Sequence, residues 1–151
     1  MQSFDPEQAA RVWQRVHPNT PPLSREEELA EMIAREWTDA ATYLLLSRKL
    51  AGKDSTILRT MYQQEQSHCA CLKGIYTLIT GTHPAVPAVP PAKEDIATLL
   101  RRCYGQEMHT LAQYEARVND PEYGQVFARL AVQEREHCRL VLELLGRMKK
   151  K

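Results

Sequence analysis

The sequence predicts an all-α protein, a four-helix bundle in which a long crossover joins two antiparallel helical hairpins. Apolar residues recur at intervals of three and four in four long segments, which is typical of buried helix faces, and strand-like alternation is absent. A proline-rich stretch divides these segments into two pairs. The 151 residues can bury the core of one domain. We therefore expect a short N-terminal helix and linker over 1–23 and the bundle over 24–151.

Start and stop signals place the first helix of the bundle. A short amphipathic segment at about 6–16 precedes it and ends in a proline-containing loop. Ser24, with Glu27 three residues later, has the capping-box pattern that opens a helix. This first helix is expected to end near Leu50.

The second helix follows an Ala-Gly-Lys break at 51–53. Asp54 or Ser55 is expected to cap it, because either side chain can accept a hydrogen bond from the N–H groups of a first helical turn. The helix is expected to run to Thr80 and to end at Gly81, since glycine readily adopts the left-handed conformation that terminates helices.

The second hairpin has a clear break between its helices. The third helix is expected from about Glu94 to about Asn119. Asp120 followed by Pro121 is the pattern of an N-cap with proline at the first helical position. The fourth helix is therefore expected to begin there and to run to about Met148.

Residues 82–93, between the hairpins, are rich in proline. An extended proline-rich chain rises about 3.1 Å per residue, so a segment of this length reaches roughly 37 Å. A helix of about 25 residues has the same length. The segment can therefore carry the chain from one end of the bundle to the other, which predicts a long crossover.

Composition excludes several classes of protein. A formal net charge of +1 gives no reason to expect binding to nucleic acid or to an anionic membrane. The chain lacks both a signal-peptide pattern and the run of about eighteen apolar residues that spans a membrane, so a cytoplasmic location is expected. The four cysteines contain no Cys-x-x-Cys pair, which argues against a zinc ribbon or a rubredoxin-type iron site.

One glutamate interrupts each apolar helix face, and in the second and fourth helices a histidine follows three residues later on the same side. These histidines lie in the related octets QEQSHCAC (64–71) and QEREHCRL (133–140). The interrupting residues are Glu36, Glu65, His68, Glu107, Glu134 and His137.

Hairpin geometry predicts that the four glutamates lie in one layer. The midpoint of Glu36 and Glu65 falls at the first helix break, and the midpoint of Glu107 and Glu134 falls at the second. Four unpartnered buried carboxylates would be very costly, so they must be protonated, hydrated or bound to cations. With two imidazoles they form a ligand set for two divalent metals, which favours iron or manganese over zinc without excluding zinc or copper.

Residues 25–148 resemble the ferritin-like di-iron carboxylate proteins, and most closely the rubrerythrins. The two Glu-x-x-His motifs, the segment VFARLAVQEREH and a tyrosine seven residues after each lone glutamate carry the resemblance. It implies a ferritin-like four-helix bundle with two iron ions, or manganese, at the six residues named above. It also implies that Tyr43 and Tyr114 hydrogen-bond to glutamates across the bundle, although both tyrosines would equally suit a core.

The resemblance implies a cytoplasmic, homodimeric di-iron oxidoreductase that reduces hydrogen peroxide, with dioxygen as another oxidant. A rubredoxin domain is absent, so an external electron donor such as a rubredoxin is expected. Ferroxidase activity, a dimanganese catalase, and a non-enzymatic bundle stabilised by metal remain alternatives.

The chain departs from the rubrerythrin pattern in its third helix. A second acid near Glu107 is missing, because Tyr104 and Thr110 occupy the positions three before and three after it. His109 points away from Glu107 and is expected at the surface. Cys69 and Cys138 each adjoin a candidate ligand histidine and could be redox-active, but neighbouring helix positions diverge by about 100°, so packing is expected. Gln133 and Cys138 are expected to reflect ancestry and packing, with no part in the chemistry.

Overall fold

A computed structural model of the chain describes residues 7, 8, 11 and 24–148. The bundle consists of four helices: α1 (Arg25–Lys49), α2 (Gly52–Thr80), α3 (Ile96–Glu115) and α4 (Gly124–Met148). The all-α prediction is confirmed for the described part of the chain. The predicted N-terminal helix lies outside it, apart from Glu7, Gln8 and Arg11, which are helical.

The outer ends of the first hairpin are those that the sequence predicts. The Ser24 hydroxyl accepts a hydrogen bond from the Glu27 N–H, and the Glu27 carboxylate accepts one from the Ser24 N–H. At the other end, Gly81 terminates α2 in the left-handed conformation with φ of +74°. Both ends satisfy backbone groups that have no partner within the helix.

The predicted cap of α2 is wrong, because the helix begins before Asp54 and Ser55. Its N-cap is Ala51, whose side chain cannot accept a hydrogen bond. Gly52 has φ of +64°, a conformation that glycine adopts without strain, and it turns the chain directly into the helix. The Ser55 hydroxyl instead donates to the Ser47 carbonyl of α1, 2.6 Å away.

The break between α3 and α4 lies where it is predicted, but both helix ends differ. Turns follow α3 from residue 116, and α4 begins at Gly124 instead of Pro121. Asp120 still has a capping role, since its carboxylate accepts hydrogen bonds from the N–H groups of Glu122 and Tyr123. The Val118 carbonyl occupies the space that a Cβ at residue 124 would need, so only glycine fits there.

The two hairpins are α1–α2 and α3–α4, and they join through α1 against α3 and α2 against α4. α1 and α3 are antiparallel, since Arg35 bonds to Gln113 whereas Tyr43, further along α1, bonds to Glu107, earlier on α3. The contacts between α2 and α4 follow the same rule. α2 and α3 therefore run in the same direction, and the segment between them spans the bundle as the predicted crossover.

A polar layer separates the core into two apolar clusters. The first cluster lies towards the start of α1 and includes Leu29, Ile33, Leu72, Tyr114 and Phe127. The second lies towards its end and includes Tyr43, Leu46, Leu58, Leu99 and Val141. Among the described residues no helix is both long and apolar enough to cross a membrane.

Candidate metal centre

The polar layer contains all six predicted ligand residues, contributed by all four helices. The four glutamates and His137 are fully buried, and His68 retains 2% exposure. They form two overlapping groups in which one donor atom per residue lies within 4.8 Å of the others: Glu36, Glu65, His68 and Glu134, and Glu65, Glu107, Glu134 and His137. Because Glu65 and Glu134 belong to both groups, they are placed to bridge two ions.

Both histidines turn the same ring nitrogen towards the carboxylates. Nδ1 of His68 lies 2.8 Å from Glu134 Oε1 and 3.4 Å from Glu36 Oε2. Nδ1 of His137 lies 2.7 Å from Glu65 Oε1. The two rings are stacked with their centroids 5.9 Å apart. The Nδ1 atoms are therefore the nitrogens that can coordinate a metal.

The glutamine of each octet contacts the histidine of the other octet. Gln64 Oε1 lies 2.6 Å from Nε2 of His137, and Gln133 Oε1 is hydrogen-bonded to Nε2 of His68. An amide oxygen only accepts, so Nε2 carries the proton, and a neutral ring then leaves Nδ1 free. Gln133, expected to have no part in the chemistry, therefore contacts a candidate ligand, and such a contact can orient a metal-binding ring.

The tyrosines make the hydrogen bonds that the resemblance implies. Tyr43 donates to Glu107 Oε1 at 2.8 Å, and Tyr114 donates to Glu36 Oε1 at 2.6 Å. Burial raises the pKa of both phenols well above its usual value. Each tyrosine therefore retains its proton and fixes one carboxylate oxygen, which leaves the other oxygen of that glutamate available.

Burial and mutual repulsion raise the pKa of two of the acids. Burial is the larger cause for Glu36 and Glu65, and the neighbouring carboxylates add to it. Burial would also raise the pKa of Glu134, but interactions with the nearby His137 and His68 rings outweigh it and lower that pKa to about 2. The layer therefore combines one persistent carboxylate with acids that hold protons easily.

The pKa of His68 shows how strongly the layer attracts positive charge. Burial by itself lowers this pKa, but the hydrogen bond to Glu134 and the nearby Glu36 carboxylate outweigh the effect and raise it to about 10. An imidazolium is thus favoured among the carboxylates at neutral pH. A metal cation at the same place would replace that proton.

The donor atoms fit a pair of cations. Buried atoms without any hydrogen-bond partner converge in the layer: Glu36 Oε2, both oxygens of Glu65, Glu107 Oε2, Glu134 Oε2 and His137 Nδ1. Leaving such groups unsatisfied costs about 1–3 kcal/mol each, more when charged. Cations shared among them would remove that cost, and oxygen with imidazole nitrogen suits iron or manganese.

Asp39 is a buried acid of this region that the sequence reasoning missed. It is 3% exposed and lies three residues after Glu36, on the same side of α1, which is the signal that could have revealed it. On α3 the corresponding position after Glu107 is Thr110, which is fully buried. His109 is half exposed and lies 3.7 Å from Glu31, as expected for a surface residue.

The cysteines are free thiols and fit their expected packing role. Cys69, Cys103 and Cys138 are buried, while Cys71 is partly exposed. Burial raises the pKa of Cys138 to about 11 and that of Cys103 to about 12. Neutral thiols are poor nucleophiles and poor metal ligands.

Solved structures with the same architecture are ferritin-like. The bacterioferritin of Rhodobacter capsulatus superposes with a TM-score of 0.66 at 20% identity, over 83% of this chain and 85% of that one. A ferritin-like di-iron-carboxylate protein of Bacillus anthracis superposes with a TM-score of 0.64 at 22% identity, over 82% of this chain and 99% of that one. No family model and no curated protein matches the sequence. The fold is therefore ferritin-like.

Proposed function

We propose that this ferritin-like bundle holds two iron ions and reduces hydrogen peroxide with electrons from an external donor. The observation that carries the proposal is the pair of overlapping donor groups, which share Glu65 and Glu134. The proposed ligands are Glu36, Glu65, His68, Glu107, Glu134 and His137. The same ligands suit manganese.

Each ligand has a distinct task in this proposal. Glu65 and Glu134 would be shared by the two ions, while Glu36 and Glu107 would each hold one ion through the oxygen that its tyrosine leaves free. Four carboxylate charges would neutralise two divalent ions. Iron held there would supply, from the external donor, the two electrons that with two protons convert one hydrogen peroxide molecule into two water molecules.

The apolar clusters above and below the layer exclude bulk water. Exclusion strengthens the electrostatic interactions of the carboxylates with bound cations and limits side reactions. The proposal includes an external electron donor such as a rubredoxin.

Ferroxidase activity is the second candidate, favoured by the similarity to a bacterioferritin. The two activities differ in the oxidant that reacts faster and in whether turnover continues. A ferroxidase consumes iron with dioxygen, whereas a peroxide reductase turns over peroxide as long as a reductant is supplied.

Anaerobic loading with Fe(II) followed by stopped-flow mixing tests both candidates. We expect two irons per chain and faster optical changes with hydrogen peroxide than with dioxygen. His137→Ala should lose iron, whereas the matched surface variant His109→Ala should retain it. Iron oxidation no faster than that of free Fe(II) would overturn both candidates, and a faster reaction with dioxygen would favour the ferroxidase.

A further inference from the structure

Two buried polar side chains beside the candidate centre are not among its proposed ligands. Asp39 on α1 is 3% exposed and Thr110 on α3 is fully buried. Asp39 Oδ2 and Thr110 Oγ1 are both buried without any hydrogen-bond partner in the described structure. Buried polar atoms are almost always satisfied by protein or by ordered water, so both atoms require a partner.

The register of α1 against α3 brings these two side chains to the same level. Tyr114 bonds to Glu36 on one side of the level, and Tyr43 bonds to Glu107 on the other. On α1, Asp39 lies between Glu36 and Tyr43. On α3, Thr110 lies between Glu107 and Tyr114. Since the helices are antiparallel, Asp39 and Thr110 both lie at levels between these two bridges, on neighbouring helices.

Asp39 experiences charges from all four helices, and its carboxyl favours the neutral form. Burial is the main cause that raises its pKa well above the usual value, and the nearby carboxylates add to this. A neutral carboxyl can donate as well as accept, as can the Thr110 hydroxyl. The charged and titratable groups that act on Asp39 or respond to it include Arg35, Glu36, Tyr43, Glu65, Arg102, Cys103, Tyr114 and Glu134.

We propose that Asp39 and Thr110 bind one small hydroxylic molecule between them, water at rest and hydrogen peroxide during turnover. Such a molecule donates and accepts, and it can satisfy both orphan atoms at once. The seam between α1 and α3 is then the side from which the oxidant meets the candidate centre. The peroxide assignment rests on the proposed function, whereas the water assignment does not.

The water assignment is tested on metal-free protein with Thr110→Val, which removes the hydroxyl at nearly constant volume. We expect a lower melting temperature than wild type and loss of an ordered oxygen atom from crystallographic density between residues 39 and 110. Thr110→Ser should restore both. Thr42→Val is the matched control, because the Thr42 hydroxyl already donates to the Thr38 carbonyl at 3.1 Å.

A double-mutant cycle tests whether Asp39 and Thr110 bind the same water molecule. In an Asp39→Ala background, Thr110→Val should cost no further stability. Three results would each overturn the water assignment. They are additive stability losses for the two substitutions, a higher melting temperature for Thr110→Val than for wild type, and absence of the ordered oxygen atom in wild type.

The peroxide assignment is tested on iron-loaded protein. Thr110→Val should retain the iron content of wild type while the peroxide concentration for half-maximal rate rises about tenfold, the effect of one lost hydrogen bond. An unchanged half-saturation in Thr110→Val would overturn the peroxide assignment alone. A wild type that does not react with peroxide would overturn the proposed function and the peroxide assignment together, while density and the double-mutant cycle still decide the water assignment.

Discussion

The two halves of the candidate centre carry the same ligand types at the same spacing but have different surroundings. The α1–α2 half and the α3–α4 half each supply a lone glutamate, a tyrosine seven residues later and one Gln-Glu-x-x-His motif. Tyr43 packs in the same cluster as Cys103, with Asp39 one turn before it, whereas Tyr114 packs against Phe127, with ring centroids 6.1 Å apart.

Repeated candidate ligands and unequal surroundings therefore coexist in one site. The pattern of candidate ligands determines which charged side chains lie together in the layer. The residues packed around that layer determine how polar the surroundings of each half are. Asp39 on α1 has Thr110 as its counterpart on α3, so only one half carries an additional buried acid. We therefore expect the two proposed metal positions to differ in affinity and in reactivity.

The largest expected effect separates the glutamates proposed to be shared by both ions from those proposed to hold one ion. Glu134→Ala should abolish binding of both irons, because that side chain belongs to both donor groups. Glu36→Ala and Glu107→Ala should each remove about one iron per chain if each glutamate serves one ion. Elemental analysis of protein loaded under identical conditions gives the stoichiometry. Equal losses in all three variants would contradict the assignment of bridging roles.

The next effect concerns the glutamines and tests whether the halves are equivalent. Gln64→Leu removes the hydrogen bond that orients the His137 ring, and Gln133→Leu removes the one that orients the His68 ring. Each variant should therefore weaken metal binding about 10–100-fold. Competition titration with a chelator measures the affinity. Unequal losses would show that the differing surroundings affect the ligands themselves, and wild-type affinity in both variants would mean that the amides serve packing only.

The pH dependence of metal binding should follow His68. Its pKa of about 10 means that a metal ion must displace its proton below that pH, so affinity should rise as pH increases towards 10. A pH indicator in weakly buffered solution should record proton release on binding. His68→Gln should remove that part of the release, and identical release by the variant and wild type would contradict the prediction.

The same raised pKa has an opposite consequence for the metal-free fold. The folded-state value exceeds the ordinary 6.5, so the His68 imidazolium stabilises the fold fully below pH 6.5. This contribution should be lost as pH rises through about 10. Thermal unfolding across this range measures the loss, with His68→Gln as the control that should lack it.

The smallest expected effects are those of the tyrosine hydroxyls. Tyr43→Phe and Tyr114→Phe each remove one buried hydrogen bond to a glutamate, at a cost of about 1 kcal/mol in the free energy of unfolding. Chemical denaturation of the metal-free variants measures it. A clearly larger loss of stability for Tyr43→Phe than for Tyr114→Phe would indicate that the Tyr43 hydroxyl also stabilises the polar region around Asp39. No loss of stability in either variant would show that the two glutamates find other hydrogen-bond donors.

The sequence sufficed for the helices, the crossover and the layer of candidate ligands because these follow from periodicity. A glutamate on an apolar stripe must lie in the core, and the midpoint of a hairpin fixes which residues are level. The start of α2 could not be read in the same way. A glycine with positive φ replaced the side-chain cap there, and no pattern distinguishes that turn from a capped one.

The sequence by itself therefore determined which six residues meet and that the carboxylates need cations or protons. Tertiary structure alone decided how they are held. The bond between Gln64 and His137 joins residues 73 positions apart on different helices, and its existence depends on the rotation of α2 against α4. The level of Asp39 relative to Thr110 depends likewise on the register of α1 against α3. Periodicity reports which side of a helix faces the core, but side-chain packing sets rotation and register between helices.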